Sequence, residues 1–291
     1  MRLNVGEIRS NLSGFNSIAC VAKKASELQS DSFELDFSGC DFFEANMAAP
    51  LYSVIAKLRD GLRNVSICNL PSSIETILKK NHFLSIFNIA ELADTNQTTF
   101  PFKIFKLHAG DQFSDYLNSY LKGRGIPKMS EALTKRFKQS LFEIFQNAAI
   151  HSQSEAGVFV CGQFFPTKHR LDFTISDAGI GIRENVRKYN KNEKMSSCEA
   201  IDWALTEGNT TKAGHQPGGL GLKLLKDFIQ INKGKLQIVS RDGYHEFMTS
   251  EKSSTKIMEH DFQGTCVNIE INTQDTNSYC LKSELNGKNI F

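Results

Sequence analysis

What this 291-residue sequence lacks narrows it first. No apolar run is long enough to cross a bilayer, so no membrane anchor is expected. The opening stretch, MRLNVGEIRSNLSG, has no apolar signal core, which points to a cytoplasmic protein. There is no CxxC pair. The seven cysteines (Cys20, Cys40, Cys68, Cys161, Cys198, Cys266 and Cys280) are scattered and odd in number. They read as reduced thiols packed as small apolar residues, and a zinc site is not expected. An excess of one charge is missing too. With 34 basic and 32 acidic residues the net charge is +2, without the concentrated basic stripe of a nucleic-acid binder. No internal repeat is present.

What remains is a globular composition, 40% hydrophobic and 23% charged, enough for a real core. The length suits one large or two ordinary domains. In the first third, the spacing predicts a helix over Phe15–Leu28 and a strand over Phe33–Gly39. A second helix over Ala48–Leu62 and a strand over Val65–Leu70 follow, then a helix opened by Pro71 and Ser72. This order makes a small α/β layer. The polar stretch Glu91–Pro101 reads as a boundary, giving domains at 1–95 and 101–272 and a polar tail from Thr273, expected to be poorly ordered.

After the boundary come a strand at Phe102–Leu107, a helix at Asp111–Leu121, and a long helix from the N-cap Ser130 to His151. Ala156–Phe165 and His169–Asp177 form an expected antiparallel pair. A helix holding Ala200, Ile201 and Trp203 follows. Closing strands are expected at Lys235–Ser240, Tyr244–Met248 and Gly264–Ile271.

Three stretches carry chemistry. Glu143, Asn147 and His151 stand at i, i+4 steps, so they share one helix face. That face is either solvated or a holder of a metal-bound phosphate. Asp177 ends a strand and is followed by Gly179 and Gly181, which allow a sharp turn and close backbone approach to a ligand. Gly214–Gly221 is glycine-rich and runs into a helix over Leu220–Ile231. It is either a capping loop or an anion site at the positive end of the helix dipole.

Residues 33–87 resemble a STAS domain, on LDFSGCDFFEANMAAPL followed by NLPSSIETILKKNHFLSIF. A helix precedes the first strand here, unlike the paired strands usual in that family. The family's phosphorylated serine falls at Ala45, which has no hydroxyl; Ser53 or Ser38 would have to substitute.

Further on, Glu143-x-x-x-Asn147-Ala148-x-x-His151, Asp177-x-Gly179-x-Gly181, Gly218-Gly219-Leu220-Gly221-Leu222 and Gly264-Thr265 occur in order. Each motif is weak alone, and the ordered set resembles the ATP-binding domain of the GHKL superfamily over Ser130–Ile271. The resemblance implies an α/β sandwich with a mixed sheet, helices on one face and Mg2+-ATP beneath a flexible lid. It implies Asn147 as the magnesium ligand, Glu143 as general base and Asp177 as the adenine reader. It implies Gly179 and Gly181 near the base, with Thr265 beside it. Gly219 and Gly221 would meet the phosphates, with Leu220 and Leu222 in the same nucleotide-binding stretch, and Lys212 the γ-phosphate.

The function implied is an ATP-binding regulator with slow hydrolysis that gates contact with a protein partner. Two alternatives stay open. One is a serine/threonine kinase of anti-sigma-factor type acting on a STAS-like or sigma-regulatory partner. The other is a non-catalytic nucleotide-binding scaffold. A homodimer is one arrangement the resemblance allows; nucleic acid and membrane are not expected partners.

Overall fold

The computed structural model describes residues 1–209, 211, 220–249 and 251–285, without the side chains of 220, 221, 251 and 252. The chain starts with β1 (Arg2–Asn4), α1 (Leu12–Glu27), β2 (Ser32–Asp36), α2 (Ala48–Asp60), β3 (Asn64–Cys68) and α3 (Ser72–Lys80). Helical crossovers between strands return the chain in the same direction. The three strands accordingly pair in parallel, in the order β1-β2-β3.

Next come β4 (Thr99–Phe105), α4 (Gly110–Tyr120), β5 (Lys128–Met129), α5 (Glu131–His151), β6 (Val158–Phe165) and β7 (Arg170–Asp177). They are followed by α6 (Gly181–Asn190), α7 (Ser197–Leu205), α8 (Leu220–Asn232), β8 (Lys235–Met248), β9 (Glu251–Asn272) and β10 (Ser278–Tyr279). Among the described residues five of these strands form one sheet, in the order β4-β6-β7-β9-β8. Every neighbouring pair in it is antiparallel. The fold is α/β, with the parallel pairings in the N-terminal sheet and the small β5–β10 pair and the antiparallel ones in the five-stranded sheet. For strands next to each other in sequence the reason is connection length. The Pro166–Lys168 turn and the β8–β9 hairpin fold the chain straight back, while α1 and α2 carry it over.

Helices α4, α5 and α8 cover one face of the five-stranded sheet, as expected, and α1 and α2 of the N-terminal layer cover the other. Strand β6 shows why. Val158 and Val160 point into a core with Phe113, Leu141 and Phe145 of α4 and α5 and Phe228 of α8. Phe159 and Cys161, one residue out of step, point into a second core with Phe15 of α1 and Leu51 and Ile55 of α2. The phenyl ring of Phe15 lies 6.1 Å from Tyr244 and 6.4 Å from Phe262 on the β8–β9 hairpin. The N-terminal layer is therefore packed on the back of the sheet.

That back face is polar where a core would be apolar. Thr174, Ser176, Gln237 and Asn268 are buried and joined to the N-terminal layer by hydrogen bonds. Asn46 Nδ2 donates to Ser10 Oγ (2.9 Å), Thr174 Oγ1 (3.1 Å) and Asn268 Oδ1 (3.1 Å). Asn268 Nδ2 donates to Gln237 Oε1 (2.9 Å), and Gln237 Nε2 to the Ser10 carbonyl (3.0 Å). A charged cluster closes one side. Arg170 pairs with Glu44, lies 3.4 Å from both Asp172 and Glu270, and Lys235 reaches Glu270 at 3.1 Å. Burial pushes the Asp172 carboxyl well above the usual carboxylate range.

Several elements differ from the expectation. The short edge strand β1 and the helix α6 were not foreseen. The two closing segments at 235–248 are one strand, and β9 begins at Glu251 rather than Gly264. The stretch 273–285 is tied down, not loose. Strand β10 pairs with β5, the Ser130 N–H donates to the Tyr279 carbonyl at 2.8 Å, and Ser130 Oγ donates to Glu284 at 2.6 Å.

Candidate functional site

Helix α5 builds the first wall. Ser130 caps it by accepting from Leu133 N (3.2 Å), and Leu133, Phe137, Leu141, Ile144, Phe145 and Ala148 bury one stripe. Phe145 stacks on Phe113 at 4.4 Å, and Phe137 meets Phe228 of α8 at 5.2 Å. With that stripe fixed, Glu143, Asn147 and His151 line a cavity of about 480 Å³. This is within the range of small-molecule sites.

The sheet builds the opposite wall, with Ile175, Asp177, Ile238, Thr265 and Val267. Asp177 is only 2% exposed. Its Oδ1 accepts from Gly179 N (2.8 Å) and Thr265 N (3.3 Å). Burial pushes its carboxyl from the ordinary 3.8 up to about 7, and those two N–H bonds work against the rise. Ser240 Oγ ties the wall together. It accepts from Ile182 N (2.8 Å), donates to the Gly264 carbonyl (3.0 Å) and lies 3.1 Å from Thr265 Oγ1.

Among the residues that the motifs single out, the cavity brings together Glu143, Asn147, His151, Asp177, Gly181, Leu222 and Thr265. Gly179 also meets a packing demand. A Cβ there would stand 1.9 Å from the Ser152 carbonyl oxygen, so the glycine serves the packing of the turn against the end of α5. Ile180 N donates to that same carbonyl at 2.8 Å. Gly181 takes a φ of +84°, and its absent side chain makes room for Ser240 and Arg241. Leu220 and Gly221 open helix α8. Lys212, Gly218 and Gly219 lie outside the described residues.

Sequence reasoning missed Asn185, Trp203 and Ser240. Asn185, on α6, lines the cavity and its Nδ2 donates to the carbonyls of His151 and Gly181, both at 3.0 Å. It latches the end of α5 to the turn after Asp177. The signal was present in Ile182, Val186 and Tyr189 at helical spacing. Trp203, the single tryptophan of the chain, also lines the cavity, with its ring 5.7 Å from that of Tyr189.

The site has an acceptor pair deep on the sheet side and oxygen donors along α5. The first suits a base carrying an amino group. The second suits a hard divalent cation that keeps most of its waters. Asn147 supplies a neutral amide oxygen on that wall, one helical turn from the Glu143 carboxylate, so the residues present fit Mg2+ beside a phosphate chain.

No curated protein matches the chain. Residues 132–275 match the family model described as "Histidine kinase-, DNA gyrase B-, and HSP90-like ATPase". The matched span runs from the first turn of α5 to just beyond β9. It takes in both walls of the cavity and α6–α8. Residues 132–275 of this chain are thus similar to a GHKL-like ATPase domain, and the sheet they share in is covered on its other face by the N-terminal layer.

Proposed function

We propose that the chain is a cytoplasmic ATP-binding regulatory protein in which Mg2+-ATP binding and slow hydrolysis gate contact with a protein partner. One observation carries this reading. A single cavity is faced by Glu143 and Asn147 from α5 and by Asp177 and Thr265 from the sheet. In it the second carboxylate oxygen of Asp177 accepts the adenine amino group, and Thr265 flanks the base. Asn147 holds the metal, which when bound screens the charge of the phosphates and orients the terminal one. Glu143 takes the proton of the attacking water.

The N-terminal layer we read as STAS-like and as a fixed docking element, with positions 45 and 53 closed to phosphorylation and Ser38 alone of the three exposed. Ala45 is buried, and its carbonyl accepts from Asn81 Nδ2 (3.2 Å) and Cys161 Sγ (3.1 Å), so the position is closed to a second enzyme. Ser53 is buried as well.

Trp203 gives the test. Adding ATP with Mg2+ to the purified protein is expected to change its emission saturably, with phosphate release slower than in a dedicated ATPase. Transfer of label to a STAS-like protein partner in place of free phosphate would favour the kinase alternative. No change of emission and no bound nucleotide on calorimetry would remove the nucleotide reading.

A pH dependence follows from Asp177. An amino group that donates to the carboxylate binds the ionised form, so below about pH 7 binding has to expel a proton. Affinity for adenosine, which has no titrating phosphate, is expected to rise up to about tenfold per pH unit below about 7 and to level off above it. Folding runs the other way. The carboxyl is raised from 3.8 to about 7 in the folded chain, so its contribution to stability is full below the lower value and is lost as pH rises through the higher one. Adenosine affinity that stays flat across this window would show that Asp177 does not meet the base.

A further inference from the structure

Helix α2 of the N-terminal layer is buried along most of its length, and one residue in its middle is out of keeping with the apolar ones around it. Ser53 lies between Tyr52 and Val54 and is fully buried. A hydroxyl there costs stability unless it finds a partner. Its own helix offers the Ala49 carbonyl at 3.4 Å. The better partner is across the layer, where Ser53 Oγ lies 2.7 Å from Ser176 Oγ on β7.

Ser176 is next to Asp177. Successive residues of a strand point to opposite faces, so Ser176 looks into the N-terminal layer while Asp177 looks into the cavity. The β7–β9 ladder ends at the Ser176–Cys266 pair. Thr265 is just past that end, preceded by Gly264 at a φ of +111°. Side chains fix its position on the β7 side. Ser176 Oγ donates to the Thr265 carbonyl (3.2 Å), and Thr265 N donates to Asp177 Oδ1 (3.3 Å). A line of hydrogen bonds thus runs from α2 through Ser176 to the residue that flanks Asp177 in the cavity. Ala178, the next residue along, packs in the same core as α2.

We propose that Ser53 is a positioning residue for the adenine pocket, through which the N-terminal layer sets nucleotide affinity by way of Ser176 and the Thr265 peptide. This rests on the reading of the cavity as an adenine-nucleotide site. Donation by Ser53 leaves the Ser176 proton for the Thr265 carbonyl, and a held Thr265 keeps its N–H on Asp177. Because coupling is reciprocal, bound nucleotide also tightens α2 against the sheet.

The experiment is a double-mutant cycle on the full chain with Ser53→Ala, Ser176→Ala and the pair. ATP binding is read by Trp203 emission, turnover by phosphate release, and adenosine affinity as a function of pH. Each single change is expected to weaken ATP binding about three- to tenfold, the worth of one net hydrogen bond, with kcat unchanged. The pair is expected to weaken it no more than either single change. The pH midpoint of adenosine affinity is expected to move up in both, because Asp177 loses an N–H that favours its ionised form. Glu143 and His151, the other titratable groups named on the α5 wall, are the same in every variant.

A merely structural role for Ser53 would lower the melting temperature and leave that midpoint in place. Equal affinity and midpoint in Ser53→Ala and the unaltered chain, or effects that add in the pair, would overturn the proposal alone. Failure of the unaltered chain to bind ATP would overturn the nucleotide reading itself. Should Ser53→Ala not fold, Ser53→Cys keeps the volume with a weak donor, and a smaller shift in the same direction is expected; none would count against the proposal.

Discussion

Glu143→Gln is expected to lower ATP turnover by about a hundred- to ten-thousandfold, the usual contribution of a positioned general base, while ATP affinity stays within about threefold. The substitution keeps the shape of the side chain and an acceptor oxygen. It removes the group that takes a proton. Glu143 is one helical turn before Asn147 on the same cavity wall, so the amide variant leaves the Asn147 side-chain oxygen where it was. Removing a negative charge beside the phosphates would, if anything, help binding. Phosphate release and Trp203 emission, measured on one preparation, separate the two quantities. Unchanged turnover would take the base role from Glu143. Lost affinity would mean that it holds the cation.

Asp177→Asn is expected to separate binding from stability. Asparagine keeps Oδ1 as an acceptor for the Gly179 and Thr265 N–H groups. In place of the second oxygen it presents an amide donor, which faces the donor of the adenine amino group. A hydrogen bond to a charged group contributes about 1.5–3 kcal/mol. Affinity for ATP is therefore expected to fall by at least about tenfold and by about a hundredfold at the upper end. The fold is expected to hold or gain. Above about pH 7 the unaltered chain carries a buried carboxylate that burial disfavours, and the amide carries none. Melting temperature at about pH 8 should therefore be equal or higher in the variant. Affinity that survives the change would place the base elsewhere in the cavity. A large loss of stability would mean that the carboxylate has a structural role.

Much of the site could be read from residue spacing, because local rules govern it. The Ser130 cap, the buried stripe of α5 and the i, i+4 row of Glu143, Asn147 and His151 all follow from a single helix period. Asp177 at a strand end followed by glycines needs only chain-local geometry. The same local rules misread the back of the sheet. Strand β7 alternates Leu171, Phe173 and Ile175 with Asp172, Thr174 and Ser176, a pattern that normally places the polar set in water. Here the polar set is buried: Thr174 and Ser176 offset their desolvation cost through bonds to Asn46 and Ser53, and Asp172 lies beside Arg170. No periodicity reports a partner layer more than a hundred residues away in the chain. Strand β1 was missed for a related reason, since three residues pairing in parallel with β2 carry little pattern of their own. The packing demand on Gly179 was not legible, because a glycine that spares a carbonyl and one that admits a ligand look alike in sequence.

The place of α1 has a consequence for how the chain is made. Asn16 Oδ1 accepts from Glu259 N, 243 positions later. The Ser10 carbonyl accepts from Gln237 and Lys235, 227 and 225 positions later. On the ribosome this first helix emerges before its partner strand exists, with Phe15 uncovered. Its burial waits until nearly the whole chain has been synthesised, and contacts of such long separation form slowly. The nascent N-terminal layer is thus a natural client for holding chaperones. A ribosome stalled before β9 would leave Phe15 of α1 without Phe262 and the hairpin that covers it.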